Sequence, residues 1–197
     1  MKRYTVIITG ASGSAYGMRL VEQLLLVGDV TLIFTKTGAE VTAYELGFTL
    51  PETGAREAVL RFLELSGDLP LRVVADDDLF DAVASGSSVT EATVVIPASM
   101  GFVGSVASGL ASDLAERAAD VTLKERRALV LVPRETPLNL IHLRNLTALA
   151  EAGAVIVPAM PAFYQRPKSV DDMVSFVVGK VLDVLGIEHD LFPRWGS

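Results

Sequence analysis

The sequence predicts a single doubly wound α/β domain, with a mostly parallel sheet and helices on both faces. Three observations carry this expectation. Short apolar runs recur at 4–9, 30–35, 71–75, 92–96, 128–132 and 154–157, each bounded by Gly, Pro or charged residues. Runs of that length suit strands buried on both faces. The segments between them are long enough for right-handed crossovers, and several repeat their apolar residues at helical spacing. The 197 residues show no internal repeat and no linker, which suits one domain with a real core.

Tyr4 to Thr9 reads as the first strand and Gly10-Ala11-Ser12-Gly13 as its turn. Gly17, Met18, Leu20, Val21, Leu24 and Leu25 then follow at helical spacing. Strand, Gly-rich turn and helix make the outline of a phosphate cradle, with free N–H groups and a positive helix end facing an anion. The glycines are spaced G-x-x-G-x-x-x-G, neither the dinucleotide fingerprint nor a Walker motif, and an empty βα turn would look the same. Val30–Thr35 is a second strand, Thr37–Leu46 a helix carrying Glu40 and Glu45, 56–65 a further helix, and Leu71–Ala75 a short strand. Asp77-Asp78-Leu79-Phe80-Asp81 matches D-D-x-x-D, a magnesium–diphosphate motif of all-helical prenyl synthases. No second acidic cluster faces it and the surroundings alternate strand and helix, so it reads as a solvated acidic turn capping a short helix.

Ala92–Ile96 is a strand that Pro97 breaks, and Pro97 to Phe102 turns into the small-residue segment 104–109. Leu114–Lys124 is a helix, Ala128–Val132 a buried strand, and Pro133-Arg134-Glu135-Thr136-Pro137 its end. Leu138–Ala152 is an amphipathic helix with His142 as a structural residue, Ala154–Val157 a strand, and Val170–Leu185 the last helix. The chain thus reads as a core α/β domain over 1–185 and a C-terminal tail over 186–197, which holds the one tryptophan, Trp195.

Composition removes several function classes. There is no cysteine, hence no disulfide, thiolate catalysis or Cys-based metal site, and two histidines give no metal-ligand spacing. The net charge of −7 argues against nucleic acid as a partner. Half the residues are hydrophobic and mean hydropathy is +0.43, yet the longest apolar runs are strand-sized and far short of the roughly 20 residues of a membrane helix. The excess points to buried parallel strands, a large oligomer interface, or both. No signal peptide is evident, and a cytoplasmic protein is the default expectation.

In a doubly wound sheet, ligands bind at the carboxyl ends of the strands. That edge here collects Ser12, Thr35, Ser99, Arg134 and Glu135. Arg134 offers a fork for phosphate. Glu135, set between two prolines, is placed either for proton transfer or as the ion-pair partner of Arg134. The residues alone reach a protein that binds a phosphorylated ligand at this edge.

Several motifs together carry a resemblance. They are T-G-A-S-G-x-x-Y-G at 9–17, S-G-S at 85–87, E-R-A-A-D-V-x-L-K-E-R-R at 116–127, L-V-L-V-P-R-E-T-P at 129–137, P-A-x-P-A-F-Y-x-R-P at 158–167 and P-R-W at 193–195. In this order, across essentially the whole chain, they resemble the UbiX family of flavin prenyltransferases. The resemblance implies a flavodoxin-like (Rossmann-like) fold, a homododecamer with FMN at subunit interfaces, and no metal. It implies transfer of a dimethylallyl group from dimethylallyl phosphate to N5 and C6 of reduced FMN, giving prenylated FMN for a UbiD-type decarboxylase. By the same resemblance Gly10, Ala11, Ser12, Thr35, Ser99, Met100, Gly101, Phe102 and Arg134 would hold FMN. Lys124, Arg134, Tyr164 and Lys180 would hold the donor phosphate. Glu135 would act as acid/base, Ser12 and Glu45 would serve proton movement near N5, and Trp195 would wall the prenyl site. Some relatives carry arginine at the position of Lys180, a fork that lysine lacks. Two rival readings are an FMN-dependent cysteine-type decarboxylase of the same fold group, and a non-catalytic flavin carrier. Against the first, Met100-Gly101 replace Ala-Asn of its P-A-S-A-N-T motif; against the second, the cationic residues and Glu135 would be surplus.

Overall fold

A computed structural model of the chain describes residues 2–194. Six strands, β1 (Lys2–Ile8), β2 (Gly28–Phe34), β3 (Leu71–Ala75), β4 (Ala92–Ala98), β5 (Ala128–Pro133) and β6 (Val155–Ile156), form one sheet. Its order is β3-β2-β1-β4-β5-β6 and every pairing is parallel. Seven helices complete it: α1 (Ser14–Leu24), α2 (Lys36–Leu46), α3 (Ala55–Phe62), α4 (Met100–Ala107), α5 (Leu114–Lys124), α6 (Leu140–Glu151) and α7 (Val170–Val184). This is the doubly wound, flavodoxin-like layering expected.

The alternation of each strand divides the core in two. Val6, Ile8, Leu32, Phe34, Val94 and Ile96 pack on one face, under α1, α3 and α7. Ile7, Ile33, Val95, Leu129 and Leu131 pack on the other, under α4, α5 and α6. The chain winds one way from β1 to β3 and the other way from β4 to β6, so the switch lies between β1 and β4. A doubly wound sheet has its ligand crevice at that point, outside the carboxyl ends of the strands, which here is between the loop after Ile8 and the loop after Ala98.

Two expectations about elements are corrected. Pro97 does not break its strand: β4 runs on to Ala98, with a register shift between Val95 and Ala98. Pro97 lacks only a donor, and its carbonyl is used, accepting from Thr9 N–H at 3.3 Å. The small-residue segment after it is a helix, α4, capped by Ser99, whose hydroxyl accepts from Phe102 N–H. His142 is partly buried at the start of α6, where it and Asn139 form a capping box, a structural role as expected. The D-D-x-x-D stretch is an acidic turn as expected: Asp81 caps a single 3-10 turn at 82–84 and pairs with Arg72.

Asp76, at the end of β3, ties that edge to α5. Its carbonyl accepts from Leu114 N–H and its carboxylate from Ala115 N–H, at 2.8 and 2.9 Å. Burial pushes this carboxyl up to about 6, against the Ala115 bond that favours the charge, and Asp113, Glu116 and Asp77 add repulsion. A raised acid stabilises the fold most below its unfolded pKa, and that stability is lost as pH rises through about 6. Asp76→Asn keeps the acceptor for Ala115 and removes the charge. It should raise Tm at pH 8 by about 2–4 °C, a figure discounted for a half-exposed group, and flatten Tm between pH 4 and 6. Thermal melts of both proteins across that range check it.

Candidate active site

The carboxyl edge gathers most of the expected residues. Gly13 takes the left-handed conformation (φ 117°) and starts α1 without a side-chain cap of its own. The cap comes from α2. Glu45 accepts from Gly13 N–H at 2.9 Å and from Ser14 N–H at 3.0 Å. The two donors at the head of α1 therefore face a carboxylate of the chain itself, which corrects the expectation of an open phosphate cradle there. Partial burial opposes this charge, but hydrogen bonds from the Ser12 side chain, Gly13 and Ser14 outweigh it and hold Glu45 below the ordinary carboxylate range. Ser12 and Glu45, expected to act together, are thus brought into contact.

The N–H groups of Ala11 and Ser12 meet no acceptor among the described residues. They are the donors that remain for a ligand in this turn. Arg134 crosses from the end of β5, its Nε donating to the Ser12 carbonyl at 3.1 Å, while its two terminal nitrogens meet no partner among the described residues. No ion pair joins Arg134 to Glu135. Glu135 is exposed, and among the described residues its carboxylate accepts only from Thr136 N–H at 3.0 Å. Glu135 is therefore not the ion-pair partner of Arg134.

Thr35 caps α2 by accepting from Gly38 N–H at 3.0 Å. Ser99 caps α4 in the same way. Gly101 is exposed, whereas Met100 and Phe102 are 6% and 7% exposed and point into the core. Those two residues can offer a flavin only main-chain groups.

Two residues at this edge escaped the sequence reading. Thr9 is buried; its hydroxyl donates to the Pro97 carbonyl at 2.7 Å and accepts from Ser99 N–H at 2.8 Å. It pins the two walls of the crevice together. A hydroxyl residue closing an apolar strand was the signal. Thr9→Val keeps the shape, strands the Ser99 N–H and leaves the Pro97 carbonyl only the longer bond from the residue-9 N–H, at about 1–3 kcal/mol. It should weaken FMN binding several-fold, with Thr9→Ser restoring it, in a fluorescence titration. The second is Tyr16, half-buried beside Arg134 and Glu45. Burial above all pushes its phenol up, Arg134 opposing and Glu45 adding to the shift.

The other residues lie apart from this edge within the chain. Lys124 ends α5 at the opposite edge, before β5 begins, ~20 Å from Arg134 by the length of that strand. It pairs there with Glu125, and the S-G-S loop passes against it, its Gly86 carbonyl held by Arg127. Tyr164 sits on a 3-10 turn at 163–165 with its ring edge-on to Phe176 of α7, 5.9 Å between centroids. Lys180 stands one helical turn beyond Phe176 and donates to Asp183 at 3.1 Å. Trp195 lies outside the described residues. No group of three or more potential metal ligands occurs among the described residues, and no helix there is long and apolar enough to cross a membrane.

Unpartnered main-chain donors, hydroxyl caps and a free arginine fork at a sheet switch point define a flavoprotein-type site, and a family model described as Flavoprotein matches residues 1–182. The flavin prenyltransferase UbiX of Halalkalibacterium halodurans is 50% identical over 195 residues, 98% of this chain and 93% of that protein. A crystal structure of AnUbiX in complex with FMN and dimethylallyl pyrophosphate is similar with a TM-score of 0.88 and 36% identity, covering 100% of this chain and 98% of that one. A dodecameric FMN-dependent UbiX-like decarboxylase from Escherichia coli O157:H7 has a TM-score of 0.86 and 37% identity, with both chains covered in full. The chain belongs to the UbiX family of flavin prenyltransferases.

Proposed function

We propose that this protein transfers a dimethylallyl group from dimethylallyl phosphate to N5 and C6 of reduced FMN, and that the prenylated flavin serves a UbiD-type decarboxylase. The observation that supports this most is the carboxyl edge itself: Ser12 on Glu45, a free Arg134 fork and an unpaired Glu135 around one crevice. A carrier would need only the turn and the hydroxyl caps.

Gly10, Ala11 and Ser12, with Thr35, the 99–102 turn and Arg134, hold FMN in this reading. Reduced FMN supplies the nucleophilic positions. Arg134 neutralises charge that develops on the departing phosphate. Glu135 moves protons at its free carboxylate, and the Ser12–Glu45 pair holds a proton acceptor at the head of α1. Tyr164 and Lys180 hold the donor phosphate. Lys124 can join them only from a neighbouring subunit, given its place at the far edge. A dodecameric relative and the exposed apolar residues Leu140, Ile141, Leu143, Met160 and Phe163 support an assembly closed in that way.

The deciding experiment is anaerobic incubation with reduced FMN and dimethylallyl phosphate, followed by mass spectrometry of the extracted flavin. A flavin heavier by one five-carbon unit is expected. Unmodified FMN with either the monophosphate or the diphosphate donor would overturn the reading in favour of a decarboxylase or carrier.

A further inference from the structure

The last described residues, 186–194, fold back on α7. Phe192 stacks on Phe176 with ring centroids 5.0 Å apart, and Gln165 Nε2 donates to the Pro193 carbonyl at 3.0 Å. The tail thus grips both the turn that bears Tyr164 and the phenylalanine on which Tyr164 leans. Asp183 is the second point of attachment. Its Oδ2 accepts from Lys180, while Oδ1 faces Arg194 Nη1 at 2.6 Å and His189 Nε2 at 3.2 Å. His189 is 1% exposed at its side chain, and its Nδ1 accepts from Leu191 N–H, which leaves the ring proton on Nε2 toward Asp183.

We infer that this tail positions the donor-phosphate pair: Phe192 sets Tyr164 through Phe176, and His189 and Arg194 share Asp183 so that Lys180 is free to leave it for an anion. The inference rests on the reading of Tyr164 and Lys180 given above. The electrostatics follow from one carboxylate with several claimants. With the tail docked, Asp183 keeps Arg194 and His189 when Lys180 turns to a phosphate. With the tail displaced, Lys180 is the one partner left to Asp183, and reaching an anion then means breaking the last ion pair of that carboxylate. The ammonium is then held back from the donor.

Docking depends on Gly179. A Cβ there would lie 2.4 Å from the Phe192 ring and 2.7 Å from the His189 ring. Gly179→Ala therefore forces the Phe192 and His189 rings off α7 while favouring the helix it sits in, and it alters no group assigned to flavin or donor. We expect KM for dimethylallyl monophosphate to rise at least tenfold, with the Kd for FMN within twofold of wild type. Arg194→Gln should raise the same KM less, since the aromatic contact remains. Lys180→Met is measured in parallel. If it raises KM and Gly179→Ala does not, the tail has no such role. If Lys180→Met leaves KM unchanged, the assignment of the phosphate site fails instead. Should Gly179→Ala not fold, Phe192→Ala removes bulk rather than adding it and reads out the same ratio, with an unchanged KM again overturning the inference.

Discussion

Glu135→Gln lowers the prenylation rate by about 10²–10⁴-fold while the Kd for FMN stays within about twofold of wild type. The carboxylate accepts one hydrogen bond, from its neighbour Thr136, and glutamine keeps an oxygen to accept it. Among the described residues no cation pairs with that charge, so the loop has little reason to move. What the variant loses is the ability to take and return a proton. Single-turnover reactions under anaerobic conditions, followed by mass, measure the step directly. An undiminished rate would remove Glu135 from the chemistry and leave Ser12 with Glu45 as the remaining acid/base pair.

The second large effect is structural. Gly17→Ala would place a Cβ 2.5 Å from the Ile96 carbonyl oxygen and 2.6 Å from the Ile8 side chain. Both isoleucines are fully buried at the ends of β1 and β4, so neither can retreat. Overpacking at such a site costs about 3 kcal/mol or more, and the helix-propensity gain of alanine returns only about 1. A net loss of about 2 kcal/mol corresponds to about 4–8 °C in Tm for a chain of this size. Because α1 must lift, Gly13 and Ser14 part from Glu45, and flavin affinity falls with stability. A melt that moved by less than 1 °C would show that α1 packs more loosely on the sheet than the contact implies.

The strands were legible because parallel strands buried on both faces read as unbroken apolar runs. Their ends differ from expectation by a residue or two at most positions. Helix α4 was not legible. Gly101, Gly104 and Ser105 are weak helix formers, and its stability comes from Met100, Phe102, Val103 and Val106 packed on the sheet, which local propensity does not record. At the site, residues directly following strands were found, because strand ends share one edge by topology alone. Lys124 shows the limit. Its motif runs continuously toward Arg134, yet a helix before a strand ends at the far edge. The partnership of Thr9 with Pro97 and Ser99 spans some 90 positions of sequence and had only a terminal hydroxyl to announce it. The grip of the tail on α7 was equally hidden, since it depends on a missing Cβ at Gly179 and on a carboxylate divided among three partners.

The carboxylate of Glu45 has a practical consequence at the bench. The head of α1 arrives with its counterion built in, covalently tethered and impossible to wash away. Sulfate or phosphate from a buffer gains nothing by approaching it. Competition by such salts should therefore follow the cations proposed above for flavin and donor, Arg134 and Lys180, and not the head of α1.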